Sequence, residues 1–251
     1  MRRYLLAITI VGLLVSLLLL PCEEAVALKP IKVAILDSGS NIAYKEGVSL
    51  IDGTVKDYNG HGTLMARIVK EVYPEAELYI IKVIGSDGLA INEEAVILGL
   101  EWAIAKDVDV INMSLRLRGS ARLHQTIKKA YDKGIVMVAA AGNTDSLLAA
   151  RNLAFAEDSA RQTYNQAAID AVAYPAKYPE VIAVGALNRN GEVYAASAKG
   201  EEVQLYCQGY RGNKAGTSIA SAYASGIIAK IISENPDLNI EELKKLISTQ
   251  R

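Results

Sequence analysis

The sequence predicts an α/β protein, with a mostly parallel central sheet and helices on both faces, in a single domain. Three observations predict it. Short apolar runs rich in β-branched residues alternate with stretches whose apolar residues recur at three- and four-residue spacing, the pattern of βαβ units. The length of 251 residues suits one such domain and permits a substantial core. No internal repeat or low-complexity linker divides the chain.

The predicted strands are 31–36, 78–84, 108–113, 135–140 and 181–186. Helices are expected at 92–105 and 121–133. Gly60-His61-Gly62-Thr63 leads into a helix start at 64–69, and Gly216-Thr217-Ser218 into another at 219–224. The small residues of the latter suit a central, tightly surrounded helix. A last helix at 240–248 has Asn239 as N-cap and Glu242 three residues on, close to a capping box.

Residues 1–27 read as a signal peptide. Arg2 and Arg3 are followed by an apolar run at 5–20 and by Ala25-Val26-Ala27, a small-residue cleavage pattern. The run, about sixteen residues, is shorter than the roughly twenty of a spanning helix. An uncleaved membrane anchor is the alternative, and Cys22 adds a lipoprotein option for which Pro21 is a poor neighbour. Cleavage would leave Cys207 without a partner, and it is expected to be a small buried hydrophobe at a strand end. The formal net charge of -1 gives no reason to expect nucleic acid or an anionic membrane surface as partner.

Four short stretches carry chemistry: Asp37 in VAILDSG, His61 in NGHGTLMA, Ser218 in AGTSIASA and Asn143 at the end of AAAGN. Alone, Asp37 could be a turn former, Ser218 an N-cap and Asn143 a left-handed turn residue. Together they supply a nucleophile, a base, a group to orient the base and an oxyanion donor. Asp37, Ser114 and Asn143 each follow a strand-like run, which places them at the carboxyl edge of the sheet, where open parallel sheets bind ligands. The other histidine, His124, lies among Arg122, Gln125 and Lys128 and reads as solvated surface.

These residues resemble the subtilisin-like serine protease (subtilase) family. The stretches match its D-S-G, G-H-G-T and G-T-S-x-A signatures in the order Asp, His, Ser. The resemblance runs from about residue 31 to the C-terminus and implies a subtilisin-like peptidase domain over 28–251. It further implies that Asp37 orients His61, that His61 takes the Ser218 proton and that Ser218 forms an acyl-enzyme. The Asn143 side chain and the Ser218 backbone N–H would hold the oxyanion. Ser114, Leu115 and Arg116 would bind the substrate backbone.

The chain departs from the family pattern in several places. Leu64 replaces a second, non-catalytic histidine, and Ala222 stands where a proline is usual. Arg116 and Leu117 replace two glycines, which should narrow or shift the substrate range; Arg116 is a candidate for favouring acidic residues. After the His61 helix, Val72-Tyr73-Pro74-Glu75 leads straight into a strand, so no calcium is expected there. No pro-domain is evident: about nine residues lie between Ala27 and Asp37. Either the chain folds unaided, or a separately encoded helper or inhibitor serves it, or full activity is no longer needed. The stretch 144–172 is longer than the family's connection and reads as an added helix, either a lid or docking element or plain surface.

The expected activity is hydrolysis of polypeptides by a serine endopeptidase of restricted range, without metal or cofactor, secreted or extracytoplasmic. Membrane association is expected only if the N-terminal helix is retained. The alternative is a degenerate subtilase that binds peptides or a partner.

Overall fold

The computed structural model describes residues 30–85, 91–144 and 171–248. Seven strands form one sheet: β1 (Lys32–Asp37), β2 (Glu46–Ser49), β3 (Glu77–Lys82), β4 (Val110–Met113), β5 (Val136–Ala140), β6 (Ile182–Leu187) and β7 (Val203–Gln208). Their order is β2-β3-β1-β4-β5-β6-β7, and every pair is parallel. A separate hairpin joins β8 (Tyr210–Arg211) to β9 (Lys214–Ala215). The helices are α1 (His61–Val72), α2 (Glu93–Ala105), α3 (Ala121–Asp132), α4 (Thr217–Glu234) and α5 (Ile240–Ser248).

The predicted class holds because both faces of the sheet are covered, so its central strands are apolar almost throughout. On one face Ala34 and Leu36 pack with Val96, Leu100, Leu123 and Ile127 of α2 and α3. On the other, Val33 and Ile35 pack with Met65 and Ile68 of α1, Ala220 and Ile228 of α4 and Leu243 of α5. Asn92 caps α2 through Glu94 N–H, and Asn239 and Glu242 exchange bonds of 3.0 and 3.1 Å, completing the capping box at α5.

Three elements escape the sequence pattern. Strand β2 has four residues at the sheet's edge, β7 is half-buried over three consecutive residues, and the hairpin strands have two residues each. Helix α4 extends 18 residues, with Ala222 buried in its unbroken course. His124 differs from its reading as free surface: its Nε2 lies 3.0 Å from Glu180 and its ring stacks on Tyr178 at 4.4 Å. Cys207 is buried in β7, where burial pushes its thiol pKa up to about 12. The signal segment and most of 144–172 lie outside the described residues. Among those described, no helix is long and apolar enough to cross a membrane.

The chain runs from β1 out to β2 at the edge and back to β3 beside β1, then crosses to β4 on the other side. The strand order therefore reverses between β1 and β4, and the crevice beyond their carboxyl ends is the expected ligand position. Asp37 ends β1 and Ser114 follows β4 at that point.

Candidate active site

Asp37, fully buried at the end of β1, faces His61, the first residue of α1. His61 Nδ1 lies 2.8 Å from Oδ1 and 2.9 Å from Oδ2 of Asp37. A carboxylate only accepts, so Nδ1 carries the shared proton and Nε2 is left able to accept one. Asp37 Oδ1 also accepts the Ser38 N–H at 2.7 Å, which fixes the carboxylate's orientation. The negative charge of Asp37 raises the His61 pKa above its ordinary value; burial opposes this, Asp57 adds to it and Lys214 counters it.

His61 needs the glycine that follows it. A Cβ on Gly62 would lie 2.3 Å from the Gly39 carbonyl oxygen, so the first turn of α1 can press against the Asp37 loop only without a side chain there. Gly60, the N-cap, offers no side-chain bond. Buried Asp57 takes over that role: its Oδ1 accepts the Asn59 and Gly60 N–H groups, and its Oδ2 accepts the N–H and hydroxyl of Thr63. Ser38 Oγ links this cap to the Asp37 loop, donating to Asp57 at 2.9 Å while accepting the Gly62 N–H at 2.9 Å. Burial works against the Asp57 charge, but the bonds from Thr63, Gly60 and Ser38 outweigh it and hold the pKa below the ordinary carboxylate value.

Ser218 is the second residue of α4, after the N-cap Gly216 at φ 151° and Thr217. Its hydroxyl donates to the Ser114 carbonyl at 3.3 Å. Ser114 Oγ in turn lies 3.0 Å from the Ser218 carbonyl oxygen and 2.8 Å from Ser221 Oγ, and it accepts from Asn112 Nδ2 at 3.0 Å. The end of β4 and the start of α4 are thus clasped through buried polar groups. Asn143 Oδ1 accepts the Thr217 N–H at 3.0 Å, which settles the amide's orientation and leaves Nδ2 as the donor. Nδ2 lies beside the first turn of α4, where a Cβ on Gly216 would meet it at 3.0 Å.

All seven candidate residues, Asp37, His61, Ser114, Leu115, Arg116, Asn143 and Ser218, line one open cavity of about 500 Å³. Within it the structure joins Asp37 to His61 by hydrogen bonds; Ser218 shares the cavity, but its hydroxyl is bonded to Ser114. Sequence reasoning missed Ser38, Asp57, Thr217 and Lys214. An acidic residue shortly before a helix start was the available signal for Asp57. No sequence signal marked Lys214, which comes to the cavity on the β8–β9 hairpin. Between α1 and β3, the Lys70 ammonium binds the carbonyl oxygens of Pro74 and Ala76. Among the described residues no group of three His, Cys, Asp or Glu side chains could hold a metal ion.

Comparison with known proteins agrees with this architecture. The model of the subtilase family, peptidase S8, matches residues 29–251. Subtilisin DY of Bacillus licheniformis is 35% identical over 246 residues, covering 87% of this chain and 82% of the relative. The minor extracellular protease Epr of Bacillus subtilis (strain 168) is 30% identical over 249 residues, and the match takes in 87% of this chain but 35% of Epr. Subtilisin E of the same organism is 33% identical, with 82% and 56% covered; the chain thus spans about half or less of these two relatives. The fold is shared with a cold adapted subtilisin-like serine proteinase of known structure, with a TM-score of 0.69 and 23% identity, over 87% of this chain and 81% of that one. The chain belongs to the subtilase family and is a subtilisin-like serine endopeptidase.

Proposed function

We propose that Ser218, His61 and Asp37 hydrolyse peptide bonds through an acyl-enzyme. The observation that carries this reading is the Asp37–His61 pair, with Nε2 of the imidazole left as acceptor in the cavity that Ser218 enters. Ser218 Oγ leaves the Ser114 carbonyl, gives its proton to Nε2 and attacks the scissile carbonyl carbon. The Asn143 Nδ2 and the Ser218 N–H, at the positive end of α4, receive the oxyanion. The imidazolium, stabilised by Asp37, returns its proton to the leaving amine, and water then repeats the cycle on the acyl-enzyme. A protein that merely bound peptides would have no use for a buried carboxylate holding a histidine at the cavity.

The substrate range is restricted. Arg116 stands in the cavity wall, and Leu117 is fixed by its N–H bond of 2.8 Å to the Tyr174 carbonyl. The Arg116 side chain takes up space a substrate would otherwise fill, while Leu117 packs against the core. The enzyme acts outside the cytoplasmic membrane, as the leader-like 1–27 and the extracellular relative suggest. A separately encoded helper remains part of this reading, because the wide sequence separation of paired parallel strands makes folding slow.

The test is labelling with a fluorophosphonate probe beside a Ser218→Ala control. Labelling of the wild type alone supports the assignment. A folded wild type that stays unlabelled sinks it.

A further inference from the structure

The active-site cavity adjoins a second one of about 550 Å³, and the two share Leu64 and Lys214 in their linings. On the proposed mechanism the chain after the scissile bond departs past the base, because His61 returns its proton to the leaving amine. Leu64 lies one turn beyond His61 on α1, and Lys214 is near enough for its charge to be felt at His61. Leu115 and Arg116 border the first cavity only. The second cavity is therefore where the leaving portion of the substrate lies.

Its wall carries positive charge that is only partly compensated. Arg189, Arg211 and Lys214 line it, and no carboxylate does. Arg211 is paired with Glu71 and so is largely spent. The Arg189 guanidinium lies 5.3 Å over the Tyr210 ring and binds the Gly212 carbonyl oxygen. These contacts fix its position and leave its charge unneutralised. Lys214 has no ion pair among the described residues. Two cations thus flank the path, one held rigid by an aromatic face and a backbone carbonyl, the other on the hairpin that leads into Ser218.

We infer that Lys214 and Arg189 form an acidic-residue subsite on the leaving-group side, so that the substrate is a polypeptide with Asp or Glu shortly after the cleaved bond. This rests on the triad assignment above for its direction. Screened pairs from two exposed cations supply modest discrimination, about five- to tenfold for two contacts at low ionic strength.

The experiment compares fluorogenic peptides that differ only by Glu, Gln or Lys at the first three positions after the cut. Expected is a kcat/KM about five- to tenfold higher for Glu than for Gln, shrinking with added salt. The Lys214→Glu/Arg189→Glu variant should instead prefer Lys. Ratios within each variant cancel any change at His61. Anisotropy binding of the same peptides, dye-labelled, to Ser218→Ala gives a second readout that needs no catalysis. If fluorophosphonate labelling fails, the triad assignment falls while the binding ratios still test this subsite. Equal values for Glu and Gln in both readouts, or a preference for Lys in the wild type, overturn it.

Discussion

Ser38 and Asp57 meet beneath the helix that presents His61, the hydroxyl of one donating to the carboxylate of the other over 2.9 Å. The contact ties the strand end that holds Asp37 to the first turn that holds His61. Asp57→Ala removes it and strands the Thr63, Gly60 and Asn59 amides, at a cost of about 3 kcal/mol. Asp57→Asn should cost less, since one acceptor oxygen remains. In both, kcat should fall more than KM rises, because His61 loses its fixed place. The wild-type carboxyl is held below its ordinary pKa, so its contribution is complete above about pH 4 and lost as pH falls through the folded value. Denaturant melts across acid pH would show Asp57→Ala and wild type converging as the pH drops; parallel curves would refute the role.

The pH dependence of activity follows from His61. Only the neutral imidazole can take the Ser218 proton, and Asp37 raises its pKa above the usual 6.5. The acid limb of kcat/KM should therefore lie above pH 6.5, with activity rising through it. Lys214 opposes the shift, so Lys214→Gln should move the limb to still higher pH. A rate flat from about pH 5 to 9 would rule out His61 as the base.

The candidate site was legible as motifs because each of its groups sits in a local pattern: Asp37 at the end of an apolar run, His61 and Ser218 where glycine turns enter helices, Asn143 after a run of alanines. Such signals survive in a few adjacent residues. Asp57 was hidden because its meaning lies in contacts with Ser38, 19 positions away, and with the turn after it. Lys214 and Arg189 were hidden because only the β8–β9 hairpin, too short to show a period, brings them together. Strand β2 failed for the same reason: four residues at an edge need no apolar alternation. His124 was misread because Glu180 and Tyr178 come from a distant loop, invisible to the helix's own composition.

A second buried charge gives an asymmetric prediction. Lys82 ends β3 in register with Asp37 and has 0% side-chain exposure, while its partner Asp52, at 2.6 Å, is 37% exposed. Asp52→Ala leaves the ammonium buried with the Lys56 carbonyl and the Tyr58 ring as its remaining partners, costing about 3 kcal/mol. Lys82→Met leaves a carboxylate that water can reach, and should cost about 1 kcal/mol. Chemical denaturation of the two variants checks the order. An equal or inverted cost would mean that the pair does not anchor the 50–58 loop.

The last prediction separates binding from catalysis at Asn143. Its Oδ1 is spent on Thr217, so what Nδ2 does toward the oxyanion can be removed without disturbing the ground-state substrate. Asn143→Ala should lower kcat by about 10²–10³ with little change in KM, a magnitude set by subtilisin, a relative of this chain. The Thr217 N–H would lose its partner too, so some stability goes with it. Gly216→Ala supplies the control: its φ of 151° disfavours a side chain, and the new Cβ would press on Nδ2 at 3.0 Å, shifting the amide without removing it. If Nδ2 stabilises the transition state by position, the displaced amide should also lower kcat, and Ser218 should still label. Variants at 143 and 216 combined should then lose little more than the worse of the two, since both act on one donor. Independent, multiplying losses would place the Asn143 effect in the packing of α4 and not in the oxyanion.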